Sequence, residues 1–474
     1  MKTTVKIAIF AVLAFTFLNL PVFASNQNKD IEGKWEGTLL VSGTSLRIVF
    51  NVSKNSTGRY VATMDSPDQG AWGIKVDKTV FDGEKVIFEI NSINGRYEGA
   101  FKGDEIGGTW EQRTYSFPLS LRRMKSGAIS QSAVKHQEKY PYIIKDVTFK
   151  NKSAGVTLAG TLTLPKKGGP FPAVILITGS GPQDRNETVF GHKPFLVIAD
   201  YLTRRGIAVL RYDDRGVGKS TGDFSKSTTE DFARDVICAV NYLKEQKNID
   251  SKKIGLIGHS EGGLIAPMVA VRDSDIAFIV LMAGPGLTGS EILDMQSRLI
   301  LKTNGKKEKT IDEYVAINDK VFDVLKMEKD SSKAYEQIKT ILRDFVKGLS
   351  SEEKKEIGDE KKFVNRQIAA VMSPWFRYFV NYDPKPTLER VKCPVLAIGG
   401  SKDLQVPAKA NLDAIREALQ AGGNKNFEVK EFKGLNHLFQ HAKTGSPSEY
   451  AKIKETIAPE VLKIIGDWIV KQVK

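Results

Sequence analysis

Cysteine is nearly absent: Cys238 and Cys393 are the two in a chain of 474 residues. A disulfide-stapled scaffold is therefore excluded. Each cysteine sits in an apolar pattern, Cys238 on a helix and Cys393 at the opening of a strand, where a small buried hydrophobe is expected. No run of Lys or Arg exceeds two residues and there is no arginine-rich arm, so the formal net charge of +14 has no basic block. Nucleic-acid binders concentrate such charge on one element, and no nucleic-acid partner is expected. After the first 24 residues no segment offers about 20 unbroken apolar residues, so no transmembrane segment is expected in the mature chain. The apolar share of 41% and charged share of 27% exclude a mainly disordered chain and a collagen-like fibre.

What is present begins with a leader pattern. Lys2 and Lys6 precede the apolar stretch Ile7 to Leu20, and Val22-Phe23-Ala24 follows. This predicts a signal peptide, residues 1–24, and an exported, periplasmic or extracellular protein. Residue 25 is Ser rather than Cys, so no lipoprotein anchor is expected. Residues 31–123 read as a small all-β domain, a barrel or meander. Strand candidates such as Leu46–Val52, Arg59–Met64, Lys85–Ile90 and Tyr97–Phe101 are separated by turn signals at Asp82-Gly83, Asn94-Gly95, Gly103-Asp104 and Gly107-Gly108. Trp35 and Trp110 are expected in its core. The polar, Ser-rich stretch 124–140 reads as a linker.

From residue 141 onward the pattern alternates strands and helices, which predicts an α/β sheet. Ala173–Ile177 is a continuous apolar run, as in a central parallel strand. A helix over Phe195–Arg205 and a strand over Ile207–Tyr212 follow. A helix then starts near Thr228, with Asp231 at the capping-box spacing. Strands are expected at Ile254–Ile257, Phe278–Met282, Val395–Ile398 and Phe427–Phe432. Between about 287 and 386 the sheet pattern stops. That stretch carries 19 Lys and Arg and 17 Asp and Glu at helical spacing, and predicts a helical lid insertion over the strand ends. Its aromatic end, Ser373–Phe379, is rich enough in rings to line a pocket.

The chemistry centres on Gly258-His259-Ser260-Glu261-Gly262-Gly263, placed between an apolar strand and the apolar helix Leu264–Val271. A serine on such a turn is exposed in strained geometry, and the flanking glycines remove side chains that would collide with strand and helix. Ser260 is the expected nucleophile. Of the five histidines, His136 is in the linker and His259 should point away from Ser260. His192 sits in a loop that is able to line the site. His441 is spaced to share a helix face with His437. His437, in the loop after the last strand, is the expected base. Asp403, after the strand Val395–Ile398, is the expected acid partner, and Asp383 before Pro384 is expected to make a turn or cap. Two backbone N–H donors are needed for an oxyanion. They are assigned to Glu261 and to Ser180 in Thr178-Gly179-Ser180-Gly181-Pro182, with Gly181 the neighbouring alternative.

These residues resemble the bacterial carboxylesterases of the α/β-hydrolase superfamily, close to the serine aminopeptidase and prolyl-oligopeptidase-like groups. The resemblance rests on Gly179–Arg185, on Tyr212–Ser220, on Gly258–Gly263, and on Asp403–Pro407 together with His437. It covers about residues 140–474. The chain order Ser260, Asp403, His437 is the superfamily's. The resemblance implies an α/β-hydrolase fold, hydrolysis of a small-molecule ester through a Ser-His-Asp acyl-enzyme, no metal and no organic cofactor. Asp213 and Arg215 are expected to tie loops at the sheet edge. A peptidase, an acyltransferase or thioesterase, and a non-enzymatic binding protein on the same fold remain as alternatives. Gly33-x-Trp35 is also similar to the start of lipocalin-type barrels.

Overall fold

In the computed structural model the described residues are 30–41, 44–55, 57–66, 71–93, 95–112, 115–124 and 140–474. The expected signal peptide, nearly all of the expected linker, and His136 lie outside them. The chain forms two compact units.

The first unit holds nine strands: β1 (Gly33–Val41), β2 (Thr44–Lys54), β3 (Tyr60–Ser66), β4 (Ala71–Lys75), β5 (Lys78–Phe81), β6 (Lys85–Ile90), β7 (Gly95–Lys102), β8 (Glu105–Gln112) and β9 (Tyr115–Arg123). They make one antiparallel sheet in the order β4-β3-β2-β1-β9-β8-β7-β6-β5. Alternate residues of β6 and β7 are buried, the pattern of a sheet with one face on a core. Phe50 of β2 and Phe88 of β6 stack with ring centroids 4.2 Å apart. Five strand spacings would separate them by about 24 Å in a flat sheet, so the sheet is rolled up on itself. Trp35 and Trp110 are buried in this core, with the Trp35 indole N–H donating to the Ile31 carbonyl at 2.7 Å.

The second unit carries an eight-stranded sheet. Its strands are β10 (Tyr142–Asn151), β11 (Val156–Pro165), β12 (Phe171–Ile177), β13 (Ala208–Tyr212), β14 (Ile249–His259), β15 (Ile276–Met282), β16 (Val395–Gly400) and β17 (Phe427–Phe432). The order is β10-β11-β13-β12-β14-β15-β16-β17. The alternation expected from residue 141 begins later than the sequence suggests: β10 and β11 are an antiparallel hairpin with no helix between them. From β13 to β17 all pairs are parallel.

Helices cover both faces. They are α1 (Pro194–Arg204), α2 (Thr229–Lys244), α3 (Gly262–Ala270), α4 (Gly289–Thr303), α5 (Glu308–Met327), α6 (Ser331–Gly348), α7 (Ser351–Ile357), α8 (Glu360–Val371), α9 (Pro374–Asn381), α10 (Lys385–Leu388), α11 (Ala408–Ala421) and α12 (Pro459–Gln472). Ala173, Ile175 and Ile177 of β12 pack in one core with residues of α2, α3 and α11. Val174 and Leu176, pointing the other way, pack with residues of α1 and α12. The β12 run is apolar throughout because both of its faces are covered. The stretch 287–386 lies between β15 and β16 and forms α4 to α10. Its helices share a core of their own, including Ile311, Phe322, Ile338, Leu342 and Phe376.

This topology creates a crevice. From β12 the chain crosses to β13 on one side, then to β14 on the other. At such a reversal the loops leaving the strand ends diverge and leave space between them. The loops after β12 and β14 both open here. Cys238 and Cys393 are free thiols and half-buried, a little less covered than expected, and both pack against the core shared by α2, α3 and α11.

Candidate active site

β14 ends at His259 and α3 begins at Gly262, so Ser260 and Glu261 make the whole turn. Ser260 has φ 51°, the left-handed region that costs a residue with a side chain on the order of 1–3 kcal/mol. The turn is held by the Ser260 N–H donating to the Met282 carbonyl at 2.9 Å and by the Gly263 N–H donating to the Ser260 carbonyl at 2.8 Å. A Cβ on Gly258 would lie 1.9 Å from the Gly262 oxygen, and one on Gly262 would lie 2.2 Å from the Ile177 oxygen. Both glycines are therefore required for strand and helix to approach this closely. The N-terminus of α3 directs its partial positive charge at the serine.

Asp403 follows β16, and His437 follows β17. His437 Nδ1 lies 2.7 Å from Asp403 Oδ2. Asp403 Oδ1 accepts the Gln405 and Val406 N–H groups, each at 2.8 Å. Both side chains are buried, and these three donors provide what a buried carboxylate needs. With Nδ1 donating to Asp403, Nε2 of His437 is the nitrogen left to accept a proton. Among the described residues no hydrogen bond joins Ser260 to His437. The two are linked through His259, whose Nε2 is 3.0 Å from the His437 carbonyl oxygen and whose ring centre is 4.9 Å from that of His437.

The loop after β12 runs against the serine: a Cβ on Gly179 would lie 3.2 Å from Ser260 Cβ. The Gly179 N–H donates to Glu187 Oε1 at 2.7 Å. Among the described residues the Ser180 and Glu261 amides have no acceptor, which leaves them free to donate to a ligand. The loop is anchored by the two aspartates after β13. Asp214 accepts the Thr178 hydroxyl at 2.8 Å and the Gln183 N–H at 3.0 Å, and burial pushes its carboxyl well above the usual range. Arg185 reaches Asp213 at 2.7 Å, and Arg215 reaches Asp235 of α2 at 2.7 Å. These ties lie at the end of β13, the third strand of the sheet counted from its β10 edge, rather than at a sheet edge.

The remaining candidates are engaged elsewhere. His192 is buried, with Nδ1 3.0 Å from Thr456 Oγ1 and Nε2 3.1 Å from the Tyr450 carbonyl oxygen. His441 is exposed and pairs with Glu455 at 2.9 Å. It shares no helix with His437, because residues 437–441 form a turn closed by a bridge between Leu435 and His441. Asp383 accepts the Lys385 N–H at 2.9 Å, a local turn. Among the described residues no group of three or more His, Cys, Asp or Glu is placed to hold a metal, and no helix is long and apolar enough to cross a membrane.

Two carboxylates at the site escaped sequence reasoning, while Trp375 belongs to the aromatic stretch Ser373–Phe379 that was expected to line a pocket. Glu187 is buried beside His259, with Oε1 2.9 Å from His259 Nδ1. The Glu261 carboxylate is also buried: its Oε1 accepts the Thr229 hydroxyl at 2.7 Å and the Trp375 indole N–H of α9 at 2.8 Å. Burial pushes this carboxyl up to about 7. Trp375 stacks on Phe379 and packs against both the insertion core and the α2/α3 core. An acidic residue inside the apolar stretch Ile254–Val271 was the available signal for Glu261. Glu187, in a polar loop, left none.

The family described as serine aminopeptidase, S33, matches residues 193–346. Esterase EstD of Thermotoga maritima is 28% identical over 348 residues, covering 73% of this chain and 74% of that protein. The chain has the α/β-hydrolase fold. The chain is also 23% identical over 282 residues to acyl-coenzyme A thioesterase 1 of Mus musculus, covering 59% of this chain and 51% of that protein. Among solved structures it is similar to an esterase of Pyrococcus furiosus, with 17% identity, a TM-score of 0.44, and coverage of 71% of this chain and 94% of that one.

Proposed function

We propose that the protein hydrolyses carboxylic esters of short to medium acyl chain, with Ser260, His437 and Asp403 as the catalytic residues. The reading is carried by one observation: the Asp403–His437 hydrogen bond of 2.7 Å reaches, through the His259 contact with His437, a serine held at φ 51° on a strand-to-helix turn. Ser260 Oγ attacks the ester carbonyl as His437 Nε2 takes its proton. Asp403 holds Nδ1–H and stabilises the imidazolium that forms. The Ser180 and Glu261 amides donate to the oxyanion, with the α3 N-terminus adding to the favourable field. His437 then protonates the leaving alcohol, and water attacks the acyl-enzyme by the reverse sequence. Esterase EstD supports the substrate class.

Replacing Ser260 with Ala is expected to reduce turnover of p-nitrophenyl acetate and butyrate by roughly 10³-fold or more with the melting temperature preserved. Full activity in the folded variant would overturn the reading. A second reading, a peptidase, is favoured by the family description, serine aminopeptidase. Cleavage of aminoacyl amides with little turnover of short esters would select it. Export is part of the proposal, and protein recovered outside the cytoplasm should begin at Ser25.

A further inference from the structure

His259 precedes the serine and faces away from it, into the interior. There both of its ring nitrogens meet acceptors. Nε2 lies 3.0 Å from the His437 carbonyl oxygen, which only accepts, and Nδ1 lies 2.9 Å from Glu187 Oε1. That same carboxylate oxygen accepts the Gly179 N–H at 2.7 Å. Glu187 and His259 are 3% and 5% exposed, so water does not compete for these bonds. Glu187 is also held at φ 52°, a strained backbone that the surrounding contacts must maintain. The other groups facing the imidazole are Asp403 and His437 from the loops after β16 and β17, and the apolar Phe195, Ile198, Met282 and Phe439. A carboxylate and a carbonyl oxygen on opposite sides of one ring require a hydrogen on each nitrogen.

We propose that Glu187 and a His259 protonated on both ring nitrogens are positioning residues that join the loop carrying the oxyanion donor to the loop carrying the base. The relay has three bonds: Gly179 N–H to Glu187, His259 to Glu187, and His259 to the His437 carbonyl. It is rooted at the nucleophile by the peptide bond between His259 and Ser260. In this way one buried ion pair sets the distance between groups that come from three separate loops. The proposal rests on the roles given above to Ser180, Ser260 and His437. Burial acts to lower the His259 pKa, but the Glu187 charge and hydrogen bond outweigh it and hold the imidazole above its usual range. The imidazolium, and the relay with it, is therefore lost as pH rises through that elevated value.

The test compares wild type with Glu187→Gln, His259→Gln and the double variant. Each is checked for folding by its melting curve. Rates are read as kcat and KM on p-nitrophenyl butyrate and as the rate of fluorophosphonate labelling of Ser260, which does not depend on the natural substrate. Each single variant should lose on the order of 10²-fold in kcat with little change in KM. The double variant should lose no more than the worse single variant. The alkaline limb of the pH–rate profile should move to lower pH in Glu187→Gln. In nitrogen spectra of histidine-labelled wild type, the residue lost in His259→Gln should show two protonated ring nitrogens at neutral pH. A folded Glu187→Gln variant within twofold of wild type in kcat and labelling rate, losses that multiply in the double variant, or one protonated ring nitrogen would each overturn the proposal. If wild type cleaves no ester, the substrate reading fails, while the labelling rates and ring-nitrogen spectra still decide the relay.

Discussion

Glu261 contributes two different groups to the site. Its amide has no acceptor among the described residues and is the proposed oxyanion donor, and its carboxyl, pushed up to about 7 by burial, holds Trp375 of α9. Between about pH 4.5 and about pH 7 the native chain binds this proton more tightly than the unfolded chain. This group therefore makes stability fall as pH rises through that window. Glu261→Gln removes the titration. Its melting temperature relative to wild type should rise with pH across the window, by the equivalent of about 3 kcal/mol at most. Parallel melting profiles at acid and neutral pH would contradict the assignment. The neighbouring buried pair Arg215–Asp235 behaves differently. Arg215→Met strands a carboxylate that is left with Asn151, whose amide donates at 2.7 Å, and should cost about 3–5 kcal/mol in urea unfolding. At this scale the sequence was informative where chemistry is local. Ser260, Asp403 and His437 stand beside turn residues that announce strand ends. Arg215 was expected to tie loops, but its partner Asp235 stands in an unremarkable context on α2, and only the folded interior makes them a pair.

The elements show the same division. α2 starts where Thr228 and Asp231 form a capping box, with the Thr228 hydroxyl accepting the Asp231 N–H, and that signal is written in four consecutive residues. Thr228→Ala should lower stability by about 1 kcal/mol, visible as a lower urea midpoint at unchanged slope. The helices between β15 and β16 were legible from the spacing of Ile311, Tyr314, Val315, Val321, Phe322 and Leu325, all of which are buried. That they build a separate core was not legible, because periodicity identifies a buried face without naming its partner. Leu342→Ala in α6 should cost about 2–5 kcal/mol within that core. Hydrogen exchange should quicken in α5 and α6 while β12 and β14 keep their protection. The hairpin β10–β11 escaped the pattern because β11 is buried along nearly its whole length. It therefore lacks the polar alternation by which an antiparallel strand is usually recognised.

Across the whole molecule, two units bury cores that share no residue. Phe50→Ala removes the ring stacked on Phe88 and should destabilise the β unit by about 3–5 kcal/mol, with fluorophosphonate labelling of Ser260 unchanged. Loss of labelling in the folded variant would show that the two units are coupled. The amino-acid sequence by itself determined the alternation of strands and helices, the turn at Ser260 and the chain order of serine, acid and histidine. Each of these depends on residues a few positions apart, or on apolar runs that one window contains. The tertiary structure alone decided that Glu187 lies beside His259, 72 positions away, and that Trp375 lies on Glu261, 114 positions away. Burial of a charge and the partner that satisfies it are properties of the folded interior, and no local stretch of sequence records them.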